Sequence, residues 1–211
     1  MNMMFSDPTM LTSMNTMSIE KRKYDLKARA EAQRQTRERI VAATMELHQE
    51  VGPALTTVAE VARRSGVQRL TVYNHFPEDA ELFGACQAHW MELHPLPDFD
   101  AVLAADEPVE RMRAVLLGYY RWYRETEPMA EKIQRDRGAI PALEALMQRT
   151  ADARADRLAD ALGAGLGVGA DGRALIRLAL DFWTWRRLSR EGLDDETSAD
   201  LMTTAAASSP A

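Results

Sequence analysis

Apolar residues recur along the chain at the three- and four-residue spacing of amphipathic helices, whereas the alternating runs typical of strands are almost absent. The pattern therefore predicts an all-α protein of about nine helices. We expect these helices at residues 36–50, 56–66, 68–75, 77–93, 106–124, 127–138, 141–162, 171–190 and 194–206.

Local end signals define the short helices of the N-terminal part. Thr57 and Glu60 have the spacing of a capping box, Gly66 suits a helix end, and Pro77 suits the first turn of the next helix. The two helices on either side of Ser65-Gly66-Val67 therefore have the proportions of a helix-turn-helix.

Charge is distributed unevenly between the two parts of the chain. Residues 20–76 carry 11 Lys and Arg against 7 Asp and Glu, whereas residues 77–211 carry 15 against 24, and the whole chain has a net charge of −6. A basic segment joined to an acidic remainder is consistent with a polyanionic partner for the basic part, and equally with ordinary fluctuation of surface charge.

The composition excludes several classes of protein. With 46% hydrophobic and 27% charged residues the chain is typical of a globular protein, and no segment has the roughly 20 apolar residues that a membrane-spanning helix needs. Cys86 is the single cysteine, which excludes an internal disulfide and a cysteine-based zinc site. No catalytic nucleophile–base pair, metal cluster or cofactor motif stands out, so we expect a cytoplasmic protein that is not an enzyme and holds no cofactor or metal.

The segment from Gln68 to His75 is too polar to be a core helix. Its clearly inward positions are Val72 and Phe76, which are four residues apart and share one helical face. Hydrogen-bond donors and small polar groups at exposed positions suit DNA bases and phosphates. The residues expected at such positions are Gln68, Arg69, Thr71, Tyr73, Asn74 and His75.

Two ordered motifs lie in this region. They are Thr56-Thr57-Val58-x-x-Val61-Ala62-x-x-Ser65-Gly66-Val67 and Leu70-Thr71-Val72-Tyr73-Asn74-His75-Phe76, with Ala80-x-Leu82-Phe83 after them. Over residues 36–93 the sequence therefore resembles the tetracycline-repressor (TetR) family of one-component regulators. The resemblance implies a helix-turn-helix DNA-binding domain at residues 31–80 and a larger helical domain for effector binding and dimerisation at residues 81–211. Residues 1–30, which begin with a methionine-rich stretch lacking any period, are expected to be a disordered leader.

The resemblance also implies a set of DNA-binding residues, among which Gln68, Arg69 and Thr71 face the major groove. The full expected set is Arg37, Thr56, Thr57, Gln68, Arg69, Leu70, Thr71, Tyr73, Asn74 and His75. Leu70 departs from the family pattern, which has a small residue there, and offers an apolar contact to a thymine methyl. Asp79 stands where many members carry a phosphate-binding lysine.

A stripe of aromatic and methionine side chains marks the expected effector site, since pockets in helical domains lie between helices. The candidate ligand-binding residues are Trp90, Met112, Tyr119, Trp122, Tyr123, Met147 and Phe182. The alternative is that this stripe is ordinary core.

The helix expected at residues 171–190 is apolar over more than half its circumference, which is wider than one core requires. A second partner surface explains the excess, and the candidate dimer-interface residues are Leu175, Leu178, Ala179, Phe182, Trp183 and Trp185. Deep burial within one protomer is the alternative.

The sequence thus predicts a ligand-responsive transcriptional regulator that acts as a repressor. It is expected to bind a palindromic operator in double-stranded DNA as a homodimer, and to be released by a small-molecule effector of undetermined identity. No membrane partner is expected. The competing hypothesis is an all-helical binding or enzymatic protein whose N-terminal bundle is merely structural.

Overall fold

Every regular element in the described part of the chain is helical. The structure is a computed structural model that describes the backbone of residues 8–104 and 107–209, with side chains from Lys23 onward. The helices are α1 Pro8–Glu50, α2 Val58–Ser65, α3 Arg69–His75, α4 Asp79–Leu93, α5 Phe99–Leu103, α6 Pro108–Asp136, α7 Pro141–Met147, α8 Ala153–Leu166, α9 Ala170–Ala179, α10 Phe182–Arg190 and α11 Asp195–Ala207. The all-α prediction is confirmed.

The first helix is longer than predicted. It begins at Pro8 and not at residue 36, so residues 8–30, which were expected to be a disordered leader, belong to this helix, while residues 1–7 lie outside the described part. Residues 20–32 are rich in Lys, Arg, Glu and Ala, which favour the helix even where side chains 23–35 are exposed on all faces.

Two hydrophobic cores organise the molecule. The first joins α1, α2, α3 and α4 and contains Ile40, Val61 and Val72. Cys86 of α4 also belongs to it, so this core extends past the domain boundary predicted at residue 80. The second core is built around α6 and includes side chains of α8, α9, α10 and α11.

The helix α6 is continuous where two helices were predicted. Pro128 lies inside it, although proline lacks the N–H that the helical ladder uses. Thr126 and Met129 on either side of the proline are buried, and packing outweighs the missing hydrogen bond.

The apolar segment at residues 171–190 is likewise two helices and not one. Asp181 lies between α9 and α10, and its carboxylate accepts a hydrogen bond of 2.8 Å from the Trp183 backbone N–H. The break divides the wide apolar stripe between two helices, and both helices contribute buried side chains to the second core, Ile176 and Ala179 from α9 and Phe182 and Trp185 from α10.

Candidate nucleic-acid interface and cavity

The turn between α2 and α3 is fixed by its local chemistry. The Thr57 hydroxyl caps α2 by accepting a hydrogen bond of 3.2 Å from the Glu60 N–H, as the capping spacing predicted. Gly66 ends α2 with φ +68°, a left-handed conformation that favours glycine. The Val67 N–H then donates to the Ala62 carbonyl at 3.0 Å, which closes the turn.

One face of α3 packs against the domain, and the other faces of this helix are accessible to solvent. Val72 and Phe76 are 2% and 4% exposed, whereas Leu70 and Tyr73 are 67% and 52% exposed. Gln68, Arg69 and Asn74 are also exposed, and Thr71 and His75 are half-buried. The structure therefore brings the predicted α3 residues together on one accessible, largely polar surface.

Arg37 and Thr56, also predicted to bind DNA, make contacts within the protein. An Arg37 Nη donates to the His75 carbonyl at 2.9 Å, and its guanidinium lies 4.0 Å from the centre of the Phe76 ring. Arg37 thus holds the C-terminal end of α3 in place, a role that the sequence did not predict. The Thr56 hydroxyl donates to the Gly52 carbonyl at 2.9 Å. Contact of either residue with DNA stays a prediction.

A cavity of about 300 Å³ lies between the two cores, with walls from α1, α4, α6, α7, α8 and the turn between α9 and α10. Predicted ligand-binding residues at its wall are Trp90, Tyr119, Trp122, Tyr123, Met147 and Phe182. Met112 is not at the wall, because it is fully buried in the second core. This position does not support a ligand contact for Met112, which stays a prediction. A helical wheel of α6 cannot distinguish the cavity side from the core side.

His48 of α1 is a wall residue that sequence reasoning missed. It is 4% exposed and stacks on Phe83 of α4 with 5.5 Å between ring centres. Burial lowers the pKa of its imidazole from 6.5 to about 4, and the negative charge of Asp136 offsets part of that shift. No sequence signal links it to the aromatic stripe, because the two lie on helices far apart in the chain.

Arginines and carboxylates line the end of the cavity near α8. Arg137 donates to Glu144 at 2.6 Å and to Asp152 at 3.1 Å, and these contacts raise the pKa of its guanidinium. Arg177 of α9 donates to Asp156 at 3.0 Å and lies 3.6 Å from Asp152. Asp152 ends a π-helical turn, Gln148–Asp152, between α7 and α8.

A second set of contacts joins the end of α1 to the end of α6. The Ala54 N–H donates to the Asp136 carboxylate at 3.0 Å, and Arg135 donates to the Val51 carbonyl at 3.1 Å. Arg135 also lowers the pKa of Asp136. Gly52, with φ +96°, is required here because a Cβ would overlap the side chains of Arg135 and Asp136.

The predicted dimer residues fall into two groups. Leu178 and Trp183 are 52% and 43% exposed, and Leu175 is half-buried, so these three are accessible on the protomer. Ala179, Phe182 and Trp185 are at most 1% exposed and pack in the second core, so the protomer leaves them little surface for a second copy, and their interface role stays a prediction. The alternative of burial within one protomer holds for these three.

No described helix is long and apolar enough to cross a membrane. Within the residues whose side chains the structure describes, no group of three or more His, Cys, Asp or Glu side chains is arranged to hold a metal ion.

The N-terminal sequence and the overall architecture are both similar to those of known bacterial regulatory proteins. Residues 40–86 match the family model described as bacterial regulatory proteins, tetR family. A TetR-like transcriptional regulator from Rhodococcus sp. RHA1 is 17% identical, with 81% of this chain and 93% of that chain covered and a TM-score of 0.56. No curated protein matches the chain significantly.

Two further solved structures similar to this chain contain a ligand. SmeT in complex with triclosan is 26% identical, with 81% of this chain and 90% of that chain covered and a TM-score of 0.57. RolR in complex with resorcinol is 21% identical, with 84% of this chain and 88% of that chain covered and a TM-score of 0.50.

Proposed function

Because the chain belongs to the TetR family of bacterial regulatory proteins, we propose that it is a ligand-responsive transcriptional repressor. It binds a near-palindromic operator as a homodimer, and a small-molecule effector in the cavity releases it. The observation that carries this proposal is the surface of α3, where polar side chains are exposed around the buried anchors Val72 and Phe76.

The chemistry of this surface suits duplex DNA. Gln68 and Arg69 supply donors at the N-terminal end of α3, the end that enters the major groove in helix-turn-helix proteins. The Tyr73 hydroxyl and the His75 imidazole, further along α3, are suited to phosphates. Thr57 lies at the start of α2, where free backbone N–H groups favour an anion.

One helix of this length reads few base pairs, so a second copy is needed for affinity and specificity. Two recognition helices one turn of DNA apart, about 34–36 Å, contact successive major grooves. The exposed apolar side chains of Leu178 on α9 and Trp183 on α10 support a contact with a second copy there.

The cavity supports regulation because helices of both cores form its wall. His48 of α1 and Gln87 of α4 lie there, and Gln87 donates at 2.9 Å to Thr150, another residue of the wall. The protein can adopt states that differ in the orientation of α1 and α4, and an effector that fits the cavity better in one state increases the population of that state. The size of the shift is set by the difference in the effector's affinity between the two states. SmeT, a structure of similar fold, is in complex with triclosan, which supports a small-molecule ligand for this chain as well.

Selection of bound fragments from genomic DNA with the full chain tests the proposal and identifies the operator and its half-site spacing. On that operator, we expect Arg69→Ala and Tyr73→Ala each to weaken binding about ten- to hundredfold in a shift assay, the usual range for contacts of this kind. Arg149→Ala, at an exposed arginine outside α3, the cavity wall and the proposed contact with a second copy, is the control and should bind as the wild type does.

The salt dependence of binding separates this function from an all-helical protein whose N-terminal bundle is only structural. Release of phosphate counterions gives an affinity that falls steeply as salt rises. A flat dependence, or unchanged operator binding by both α3 variants, would contradict the proposal.

A further inference from the structure

The charged end of the cavity holds three arginines, and two of them are already neutralised. Arg137 is bound by Glu144 and Asp152, and Arg177 by Asp156 and Asp152. These ion pairs satisfy both guanidinium groups within the protein. Their role at the wall is therefore structural, since they link α7, α8 and α9.

Arg154 of α8 is the third arginine, and it differs from the other two. It lies at the cavity wall and is half-buried. No carboxylate among the described side chains comes within 4.0 Å of it, so its charge has no partner in that part of the protein. The other acid at the wall nearby, Asp181, caps α10. An arginine at a cavity wall whose charge no carboxylate of the described side chains neutralises favours an anion beside it.

The phenol of Tyr119 adds a second donor at the same place. The neighbouring Tyr120 and Tyr123 hydroxyls donate to the carbonyls of Ala179 and Leu180 at 2.9 Å and 2.8 Å, which fixes them in the core. Tyr119 donates to neither carbonyl and lies beside Arg154. Burial raises the pKa of Tyr119, and the positive charges of Arg154 and Arg177 offset part of that rise.

Most of the rest of the wall is apolar and aromatic, with His48 and Gln87 among its polar exceptions. Phe83 and Trp90 of α4, Trp122 and Met129 of α6 and Leu146 and Met147 of α7 provide the apolar part. A volume of about 300 Å³ accommodates a small molecule of one or two rings. The cavity therefore combines a hydrophobic body with one polar end that carries an unpaired positive charge.

From this arrangement we propose that the effector is a small apolar organic acid, bound as a monoanion whose acidic group pairs with Arg154 and accepts a hydrogen bond from Tyr119. The inference rests on the proposed function in one respect only, that this cavity is the effector site. A charged hydrogen bond in a partly dry site is stronger than a neutral one, so the anion is selected over a neutral molecule of the same shape.

The test is calorimetric titration of the full chain with three probes that share one ring system: 2-naphthoate, 2-naphthamide and 2-naphthylmethylamine. We expect the carboxylate to bind at least about tenfold more tightly than the neutral amide, and the cationic amine more weakly than either. Arg154→Gln should remove the preference for the carboxylate over the amide. Arg149→Gln, an exposed arginine just before α8 and outside the wall, should retain it.

Equal affinity for carboxylate and amide in the wild type would overturn the inference, as would an unchanged preference in Arg154→Gln or no binding of any probe at millimolar concentration. Circular dichroism melts of both variants establish that they are folded.

Binding to operator DNA, which the proposed function requires, is measured separately and without any probe. If the chain binds DNA and naphthoate does not bind, the ligand class fails and the regulator stands. If naphthoate binds through Arg154 and no DNA is bound, the inference stands and the proposed function fails.

Discussion

The recognition surface on α3 and the cavity differ in how their residues are brought together. The α3 surface comes from one short stretch of chain, Gln68 to His75, whose side chains are exposed because only two positions per two turns face inward. The cavity wall comes from segments as distant as His48 and Phe182, and several of its side chains, among them Tyr123 and Phe182, also belong to a core. A surface of the first kind can be altered without loss of the fold, whereas a wall of the second kind is part of what stabilises it.

Because of this difference, substitutions on the α3 surface and in the cavity wall should affect binding affinity and folding stability differently. Exposed side chains such as Leu70 and Tyr73 contribute little to folding, because they lose little contact with water. A buried wall residue such as Phe182 contributes to both, so its substitution changes ligand binding and folding together. Experiments that measure the two quantities side by side therefore test the comparison directly.

The largest effect is expected at Trp185, which lies in the second core and packs on the wall residue Phe182. It is 1% exposed, its Nε1 donates to Asp195 at 3.0 Å, and its ring lies 5.6 Å from that of Phe182. Trp185→Ala should lower the free energy of unfolding by about 3–5 kcal/mol in urea titrations, because it leaves a cavity. It also removes one hydrogen bond to Asp195, whose carboxylate keeps its ion pair with Arg124 at 2.8 Å. Arg187→Ala on the same helix should change it by less than about 0.5 kcal/mol. Similar losses of folding free energy in the two variants would contradict the expected difference between buried and exposed residues.

An intermediate effect is expected at His48, where the first helix enters the cavity wall. The folded protein holds the pKa of His48 at about 4, below the ordinary 6.5, because the imidazole is buried. Unfolding therefore takes up a proton at this residue between those two values. The stability it contributes is complete above pH 6.5 and is lost as the pH falls toward 4, by up to about 3 kcal/mol.

His48→Gln is neutral over that range and removes this proton uptake. The free energy of unfolding should then depend less steeply on pH between 6.5 and 4 than in the wild type. Asp136 lies near His48, but its pKa is lowered by Arg135, so it titrates below this window in the folded state. Parallel pH profiles for variant and wild type would show that His48 is not the group responsible.

The short helices of the first domain could be predicted from sequence because their ends are encoded locally. Thr57 caps α2 and Gly66 ends it, and each acts within four residues of its own position. The structure places α2 and α3 within two residues of the predicted bounds. The same local logic predicted the exposed face of α3.

The rest could not be predicted because it depends on contacts between distant residues. The continuity of α6 past Pro128 depends on packing, and the separation of α9 from α10 rests on a cap by Asp181 that a helical wheel does not contain. The partner of Arg37 on α3, the wall position of His48 and the unpaired state of Arg154 appear only once the helices are assembled.

The smallest effect on stability is expected at Leu70, the exposed apolar residue of α3. At 67% exposure, Leu70→Ala should change the free energy of unfolding by less than about 0.5 kcal/mol. Its loss should nevertheless weaken operator binding about three- to tenfold if the side chain packs on a thymine methyl in the major groove.

A double substitution cycle identifies that contact. Replacing the contacted thymine with uracil removes the methyl, so wild-type protein should bind the uracil operator about as weakly as Leu70→Ala binds the thymine operator. The two changes together should cost little more than either alone, because each removes the same interaction. Fully additive losses at every thymine of the half-site would mean that Leu70 faces away from the bases, and that α3 lies in the groove in a different rotation.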